Sequence, residues 1–412
     1  MGFFQREKPL VLFHTDFCIR IEKEITMLQH IFKLIWKKRK SNFLMMLEIF
    51  VSFLILFAVW SLSVYTYRNY ATPAGLSTER VWAVFLDYNT DPDSVRQINN
   101  DLVARHLQSI HEIEGFTFAA NNLPFSFSSS NRELNFKGKK ALSEVMFVSA
   151  SYPEVMGMSV SAGKWFSAAD TVGGKRPIVI TRHLARELLG TEEPIGQPLG
   201  LDDNDTRTVV GVVDYFRFKS SFQADENCFF EPAGRSDNNL LLKVGTGANA
   251  EFEARLARSL QQLNPSWTIE IQHLDQMKST QNQLVLIPIL ILFAICGFLV
   301  FNVGLGLFGV LFQNISRRKG EIGIRRAVGA TKAQIMAYFM GETLVIAVFG
   351  IALGIFFAIQ IPLLHVLDVE SSIYVWGIVL AVLSICCITL LCAFYPSRQA
   401  AAIYPAAALH EE

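Results

Sequence analysis

The sequence has 412 residues, of which 51% are hydrophobic and only 18% are charged. Its 37 Lys and Arg residues equal its 37 Asp and Glu residues, so the formal net charge is zero. A chain this apolar does not have the composition of one ordinary soluble domain, because its excess of hydrophobic residues must be concentrated in particular segments.

The excess lies in four apolar runs, each long enough to cross about 30 Å of hydrocarbon at about 1.5 Å per helical residue. The predicted transmembrane helices are residues 43–64, 283–312, 337–361 and 373–394. The second and fourth runs contain no charge, whereas the first and third contain one acid each, Glu48 and Glu342. Both acids lie near the basic ends of their helices, which favours snorkelling or interhelical bonding over a proton relay.

The basic residues near these runs lie on one side only. They precede the first run and separate the second from the third: Lys33, Lys37, Lys38, Arg39, Lys40, Arg317, Arg318, Lys319, Arg325, Arg326 and Lys332. Because Lys and Arg accumulate in cytoplasmic loops, we expect both termini and the loop 313–336 to be cytoplasmic. The segment 65–282 is then outside, and 395–412 forms a second cytoplasmic tail. Cys228 is the only cysteine in the outer segment, which excludes an internal disulfide there and favours a bacterial source.

Residues 1–42 are expected to form a cytoplasmic tail containing an amphipathic helix. From Ile25, the apolar positions Leu28, Ile31, Phe32, Ile35 and Trp36 share one helical face. Such a helix would lie in the inner membrane interface and lead into the first span, the alternative being the frayed start of that span. We expect no secretory signal peptide before the first span, which would then act as an uncleaved signal, and the start at Met1 or Met27 stays open.

The outer segment shows the same order of elements near both of its ends. Strands are predicted at Val81–Leu86, Phe116–Ala120, Leu240–Val244 and Trp267–Ile271, with a helix between the members of each pair. Asp91 and Pro92 are predicted as the N-cap and first residue of the first of these helices. We therefore expect an α+β subdomain built from both ends of the segment.

A mostly β subdomain is predicted as an insert at about residues 123–235. Its predicted strands are Val145–Ala150, Ile178–Thr181 and Val209–Val213, and its predicted helix runs from Thr181 to Leu189 and is ended by Gly190.

Two helical stalks are expected to link the membrane to the outer segment. From Ser279 to Phe312 about 34 residues can form one helix of roughly 50 Å, longer than the hydrocarbon is thick. Pro288 is expected to bend or break this helix. The first span is likewise expected to continue through Tyr65, Tyr67 and Tyr70.

The loop after the second span carries the most specific pattern in the sequence. A short helix with mixed faces is predicted there, ended by Gly329, and Thr331 is predicted to cap the next helix. Basic residues alone would indicate only a cytoplasmic loop, and glycines alone only turns. The candidate site residues are Glu321, Ile322, Gly323, Ile324, Arg325, Arg326, Ala327 and Gly329.

These residues resemble a known signature. The pattern E-x-G-x-x-[RK]-A-x-G-A of the MacB/FtsX-type ABC transporter permease family is met by Glu321, Gly323, Arg326, Ala327, Gly329 and Ala330. The segment Tyr395–Leu409 resembles the family's closing P-x-x-x-A-x-x-x-x-P-x-x-A-L. In the outer segment, Val155–Phe166, Ile195–Leu199 and Val209–Val213 resemble the MacB-like periplasmic core domain.

The resemblance implies a bacterial inner-membrane protein with four transmembrane α-helices and a large α+β periplasmic domain between helices 1 and 2. This domain would be a porter-like subdomain carrying the inserted β-rich subdomain. The resemblance further implies a dimer, made with a second copy or a related permease, above two ABC ATPase subunits that bind ATP and Mg. The Glu321–Gly329 helix would be the coupling helix that docks on the ATPase. Membrane lipids, a periplasmic adaptor and an outer-membrane channel are further expected partners, and nucleic acid is not.

The sequence supports no enzymatic function in this chain. It lacks the phosphate loop G-x-x-x-x-G-K-[ST], the zinc motif H-E-x-x-H and the nucleophile elbow G-x-S-x-G, and its eight histidines are scattered. We therefore expect no catalytic residue, no bound cofactor and no metal site.

Three functions remain open from the sequence. MacB-like efflux is favoured by the size of the outer segment, while lipoprotein release or FtsX-like regulation would share the same permease core. A membrane ligand sensor or scaffold is an alternative of another class, although the cytoplasmic parts are too small to hold an output domain. The cargo is not indicated.

Overall fold

The computed structural model describes residues 39–89, 91–171, 176–202, 205–234, 237–364 and 369–402. The predicted interfacial helix at residues 25–36, the choice between Met1 and Met27 and the end of the C-terminal motif lie outside these residues. The chain divides into two compact units. The helical unit comprises the chain up to Tyr65 and from Leu290 onward, and the sheet unit comprises Thr66–Ile289.

Nine α-helices form in the described residues. They are α1 Arg39–Ala71, α2 Asp93–Gln108, α3 Tyr152–Met156, α4 Arg182–Leu189, α5 Ala250–Leu263, α6 Leu274–Ser316, α7 Lys319–Ala327, α8 Lys332–Leu363 and α9 Ser371–Ala401. Four of them, α1, α6, α8 and α9, have the length and hydropathy to cross a membrane. Each predicted span lies inside one of these four, and each helix extends beyond its span at both ends.

Eleven β-strands form in the same residues, all within the sheet unit. They are β1 Val81–Asp87, β2 Ile113–Ala119, β3 Asn131–Phe136, β4 Lys139–Val148, β5 Val160–Gly163, β6 Pro177–Thr181, β7 Pro198–Asp202, β8 Asp205–Val213, β9 Cys228–Pro232, β10 Asn239–Val244 and β11 Thr268–His273. Their pairing links all of them into one sheet.

The helical unit packs through small residues on α8 and α9. Where α1 crosses α8, a Cβ atom added at Gly354 would lie 2.3 Å from a ring carbon of Phe53, and one at Gly350 would lie 2.9 Å from Ile49. The indole Nε1 of Trp60 donates a hydrogen bond of 2.9 Å to Ser384 Oγ on α9. Transmembrane helices usually associate through close backbone approach and interhelical hydrogen bonds, because in lipid there is no hydrophobic driving force between them.

The two ends of the sheet unit form a four-stranded antiparallel sheet in the order β11, β1, β10, β2. Helices α2 and α5 cover one face of it through buried side chains including Val103, Leu107, Phe252 and Leu256. This arrangement follows from the strand, helix, strand order at both ends, because each amphipathic helix must cover the apolar face of its own strands.

The inserted strands form a closed ring. In it β4 pairs with β3, β3 with β7, β7 with β8, β8 with β6, β6 with β9, and β9 returns to β4 in parallel. The ring is not a separate body, because one buried cluster draws Val81 and Leu241 from the end strands and Met146 and Phe230 from the ring. The ring and the end sheet each also have a buried cluster of their own, so the shared cluster joins two cores near residues 123 and 235.

The structure corrects the prediction for Asp91. Pro92 occupies the N-cap position of α2 without a side-chain capping bond. The Asp91 carboxylate instead accepts a hydrogen bond of 3.0 Å from Asn99 Nδ2, so it is engaged two turns further along the helix.

The structure also excludes a break at Pro288 and corrects one predicted strand boundary. Helix α6 continues through Pro288 without a break. Strand β4 begins at Lys139 and not at Val145, because its polar first half pairs with β3 across a two-residue turn. The two turn residues, Lys137 and Gly138, both have positive φ, as a type I′ hairpin requires.

Buried Glu144 on β4 makes the stability of the sheet unit depend on pH. One carboxylate oxygen accepts from the backbone N–H of Ser130 at 2.6 Å, and the other has no hydrogen-bond partner among the described residues. Burial raises the pKa of Glu144 above its ordinary value. A raised folded pKa gives stability that is present below the unfolded pKa of about 4.3 and is lost as the pH rises through the folded pKa.

We expect Glu144→Gln to match the native chain near pH 4 and to be the more stable of the two near pH 7. The modification rate of the buried Cys228 thiol with a maleimide, followed against temperature in the full chain, measures unfolding of the sheet unit. The exposed Glu154→Gln is the matched control. A stability difference between Glu144→Gln and the native chain that does not grow with pH would contradict this assignment.

Candidate functional site

Helix α7 lies in the loop between α6 and α8, and local sequence sets both of its ends. Glu321 stands in its first turn and Arg325 and Arg326 in its last, which complements the helix dipole. Gly329 has a φ of 101°, a conformation open to glycine and strained for other residues, and it turns the chain out of the helix. The next helix then starts at Thr331, whose side chain and that of Gln334 form a capping box.

One face of α7 is fixed to the helical unit. Ile322 is fully buried, and Gly323 beside it is also buried. The side chains around Ile322 come from α6, α8 and α9: Ile315, Ile335, Phe339, Ala400 and Ala401. Because three helices contribute to this cluster, α7 is held against all of them.

The opposite face of α7 is open and carries apolar side chains. Ile324 is 57% exposed, and Val328, directly after the helix, is 84% exposed. Ala327 is also exposed. Of the predicted site residues, Ile322 and Gly323 therefore face inward, Arg326 is half-buried, and Glu321, Ile324, Arg325, Ala327 and Gly329 face outward.

Arg325 is fixed by two contacts. Its guanidinium donates to Glu321 Oε1 at 2.8 Å, one helical turn away, and lies 4.3 Å from the centroid of the Tyr338 ring on α8. An exposed ion pair of this kind contributes little stability, but the second contact orients the charge. Tyr338 was not among the predicted site residues.

A further ion pair connects the start of the loop to α8. Arg318 donates two hydrogen bonds, of 2.7 and 3.0 Å, to the carboxylate of Glu342. The two side chains are 11% and 15% exposed. This bidentate pair accounts for the single acid in the third span. Glu342 therefore bonds another segment of the helical unit and does not snorkel. The lone acid in an apolar span was visible in the sequence, whereas its partner 24 residues earlier was not.

Glu48, the other acid in a span, lies against α6. A Cβ atom added at Gly306 would lie 2.0 Å from Glu48 Oε1, so the carboxylate occupies the space that this glycine leaves open. No group of three or more His, Cys, Asp or Glu side chains that could hold a metal ion occurs within the described part of the chain.

In the sheet unit, the segment Arg217–Phe222, here called the clamp segment, binds the end of α1 and the beginning of α6. On the α1 side, Asn69 Nδ2 donates to Phe222 O at 3.1 Å, and the buried Arg217 guanidinium donates to Asn69 O. The rings of Tyr70 and Phe222 stack with centroids 5.3 Å apart. The clamp segment therefore holds α1 by both polar and aromatic contacts.

On the α6 side, the clamp segment contacts one side chain, that of Asn282. Asn282 Oδ1 accepts hydrogen bonds of 2.9 Å from Ser220 Oγ and from the backbone N–H of Ser221. Asn282 Nδ2 donates a longer bond to Ser221 Oγ. Six consecutive residues thus connect the two helices that continue into the helical unit, and the sequence contained no recognisable signal for this connection.

Comparison with known families assigns both parts of the chain. Residues 43–283 match the MacB-like periplasmic core domain, and residues 285–405 match the FtsX-like permease C-terminal region. The chain belongs to the MacB/FtsX-type ABC transporter permease family. The resemblance seen in its sequence motifs is confirmed, and α7 with its partners lies within the FtsX-like region of this permease.

Curated relatives of the permease are distant in sequence. It is 23% identical over 236 residues to an uncharacterized ABC transporter permease, YknZ of Bacillus subtilis, covering 55% of this chain and 59% of the relative. It is 25% identical over 304 residues to the macrolide export ATP-binding/permease protein MacB of Sodalis glossinidius, covering 69% of this chain and 46% of the relative. The chain thus spans about half the length of the curated relatives it matches.

Among solved structures, the permease is similar to the periplasmic region of MacB from Actinobacillus actinomycetemcomitans. The identity is 15% and the TM-score 0.36, over 52% of this chain and 97% of that one.

Proposed function

We propose that this permease converts ATP hydrolysis by a separate ABC ATPase into movement of its sheet unit, and that the movement serves MacB-like efflux. The observation that carries the proposal is the two-sided α7, buried at Ile322 and open at Ile324 and Val328. A helix with an anchored face and exposed apolar side chains on its free face suits a docking element for a cytoplasmic protein. The macrolide export named for the MacB relatives supports efflux.

The proposed placement is the bacterial inner membrane, with both termini and α7 in the cytoplasm and the sheet unit in the periplasm. The basic residues around α7 support this orientation, since Lys and Arg mark cytoplasmic loops. A second permease copy, or a related permease, completes the transporter in this proposal. ATP and Mg are bound by the ATPase, and a periplasmic adaptor and an outer-membrane channel are further partners.

Each part of α7 has a distinct role in this proposal. Ile324 and Val328 enter the ATPase surface, and burying each side chain is worth roughly 1.5–3 kcal/mol. Arg325, held by Glu321 and Tyr338, presents a fixed positive charge beside them. Ile322 and the Arg318–Glu342 pair pass the displacement of α7 to α6 and α8.

The proposal is tested by the association of the full chain with its candidate ATPase. We expect Ile324→Asp combined with Val328→Asp to weaken the complex by on the order of 100-fold, since two apolar contacts are lost. ATP turnover in the mixture should fall in parallel. Binding is measured with both proteins purified and the permease in nanodiscs.

The matched control is Val95→Asp combined with Ile98→Asp, which changes two exposed apolar residues of α2 in the sheet unit. It should bind the ATPase as the native chain does. If the native chain binds no ATPase, the transporter proposal fails and a ligand sensor or scaffold takes its place. If the α7 variant binds normally, the ATPase docks elsewhere.

The clamp segment gives a second expected result. Asn282→Ala removes the acceptor shared by Ser220 and Ser221, which should cost roughly 1–3 kcal/mol locally. Hydrogen exchange at Ser221 and Phe222 should then accelerate about 5- to 150-fold. With the ATPase bound, we expect native exchange in this segment to change on addition of ATP, and the variant to lose that change.

The neighbouring, exposed Gln283→Ala is the control for the clamp segment. It removes a side chain of similar size from the same helix without touching Ser220 or Ser221. An Asn282→Ala variant that still shows the native ATP-dependent change in exchange would contradict a transmitting role for the clamp segment.

A further inference from the structure

A cleft of about 650 Å³ opens in the sheet unit, next to the clamp segment. Its walls are one face of the β1 and β11 strands, the first turns of α6, and the loop of residues 121–128. This volume lies in the range of pockets that take drug-sized molecules.

The loop wall of the cleft is held in a strained conformation. Phe125 is buried and has a φ of 61°, which costs an aromatic residue roughly 1–2 kcal/mol. Its backbone N–H donates to Phe218 O at 2.5 Å. Its aromatic side chain packs in the buried cluster that the end strands share with the inserted strands. This turn directs the chain so that Phe127, two residues later, is 81% exposed at the cleft.

Neighbouring bonds fix the same loop. Asn121 Oδ1 accepts from Asn239 Nδ2 at 2.8 Å, and Asn122 Nδ2 donates to Val145 O. On the α6 side, Gln281 Nε2 donates to Ser126 O at 3.5 Å. The cleft is therefore a built feature, since the loop that forms it is bonded at several points, and the strain at Phe125 is overcome by its surroundings.

The lining combines apolar surfaces with uncharged hydrogen-bonding groups. Phe85, Phe127 and Met277 provide the apolar part, and Gln272, Gln276 and Thr280 provide amides and a hydroxyl. None of the described residues that line the cleft is Asp, Glu, Lys or Arg. His273 at one end is bonded to Glu253 at 2.9 Å, so it brings no unbalanced charge.

We propose that this cleft binds an uncharged, drug-sized amphiphile, with its apolar frame against Phe85 and Phe127 and its oxygen atoms bonded by Gln276 and Thr280. The Gln272 amide already donates to Glu270 Oε1 at 2.5 Å. A charged ligand is disfavoured, because a buried charge without a counter-charge is costly. A purely apolar ligand is disfavoured too, because it would displace water from the Gln276 amide and the Thr280 hydroxyl without replacing the hydrogen bonds. The assignment names the class of cargo and rests on the proposed transport function.

Photolabelling with benzophenone tests the cleft. Benzophenone is an uncharged probe with two aromatic rings and one ketone oxygen that a glutamine amide can bond. The full chain in nanodiscs, without ATPase, is irradiated with increasing probe, and labelled peptides are located by mass spectrometry. We expect saturable labelling of peptides containing Phe127 or Met277, competed by unlabelled diphenylmethanol.

Two substitutions at exposed positions of α6 separate cleft binding from partition into lipid. Thr280→Trp fills the cleft and Gln276→Glu places a charge in it, and each should abolish the saturable labelling while leaving the probe's uptake into lipid unchanged. Ser279→Trp and Ser279→Glu are the matched controls, since Ser279 is exposed on the same helix and does not line the cleft.

Labelling that rises linearly with probe, or that persists in both Thr280→Trp and Gln276→Glu, would overturn the assignment. Because the measurement needs no ATPase, its failure leaves the docking role of α7 untouched. Conversely, saturable labelling in a chain that binds no ATPase would leave the cleft as a ligand site and would remove the transport function.

Discussion

Removing Glu342 should destabilise the helical unit by about 3–5 kcal/mol, because Arg318 would remain largely buried without a counter-charge. The pair is bidentate and little exposed, so solvent screens it weakly. We expect Glu342→Ala to lower the thermal stability of the full chain in detergent and to weaken its coupling to ATP turnover.

The matched control for this expectation lies in the same loop. Glu321→Ala also separates an acid from an arginine, Arg325, but that pair is exposed and spans one helical turn. Its loss should cost about 0.5 kcal/mol or less. Equal destabilisation by Glu321→Ala and Glu342→Ala would contradict the special role of the buried pair.

A double substitution distinguishes structural from functional roles of the pair. Arg318→Leu combined with Glu342→Leu should recover most of the lost stability, since apolar side chains often replace a buried ion pair at no cost. It should not recover coupling, because a bidentate pair fixes the orientation of the loop and two leucines do not. Recovery of both stability and coupling would show that the pair acts only through packing.

Gly354→Leu is the second substitution with a large expected effect. The leucine Cβ would lie 2.3 Å from Phe53, so α1 must move away from α8. Forcing extra atoms into a packed interface costs about 1–3 kcal/mol, occasionally more. We expect lower thermal stability and a lower yield of folded chain in size-exclusion chromatography.

Gly341→Leu, on the same helix, is the control for Gly354→Leu. No side-chain or backbone atom from elsewhere in the described chain lies within 4 Å of a Cβ added at Gly341. The two variants gain the same apolar side chain, so only packing against α1 separates them. If they are equally stable, the contact of Gly354 with Phe53 does not hold the helices together.

The sequence was informative wherever the cause of a structure is local. Apolar runs predicted the four long helices, because hydrophobic length is a property of one segment. The end of α7 at Gly329 and the cap of α8 at Thr331 were predicted for the same reason, since both depend on a few neighbouring residues. The motif around Glu321 was sufficient to suggest the family that the comparisons then showed.

Prediction was weaker for short strands and for side-chain partners. The strands β3, β5, β7 and β9 were missed, because each has only four to six residues and too little apolar periodicity to mark a strand. Asp91 was wrongly placed as a helix cap, because the sequence did not show that Asn99 would engage its carboxylate.

By itself, the sequence determined the four spans, the basic loop and the short helix within it, since hydropathy, charge and capping act over neighbouring residues. Only the tertiary structure decided which face of α7 is open. It alone joined Arg318 to Glu342 and the clamp segment to Asn282, and it alone brought Phe127 and Gln276 to one cleft. These contacts connect residues far apart in the chain, so their positions depend on packing that no single segment encodes.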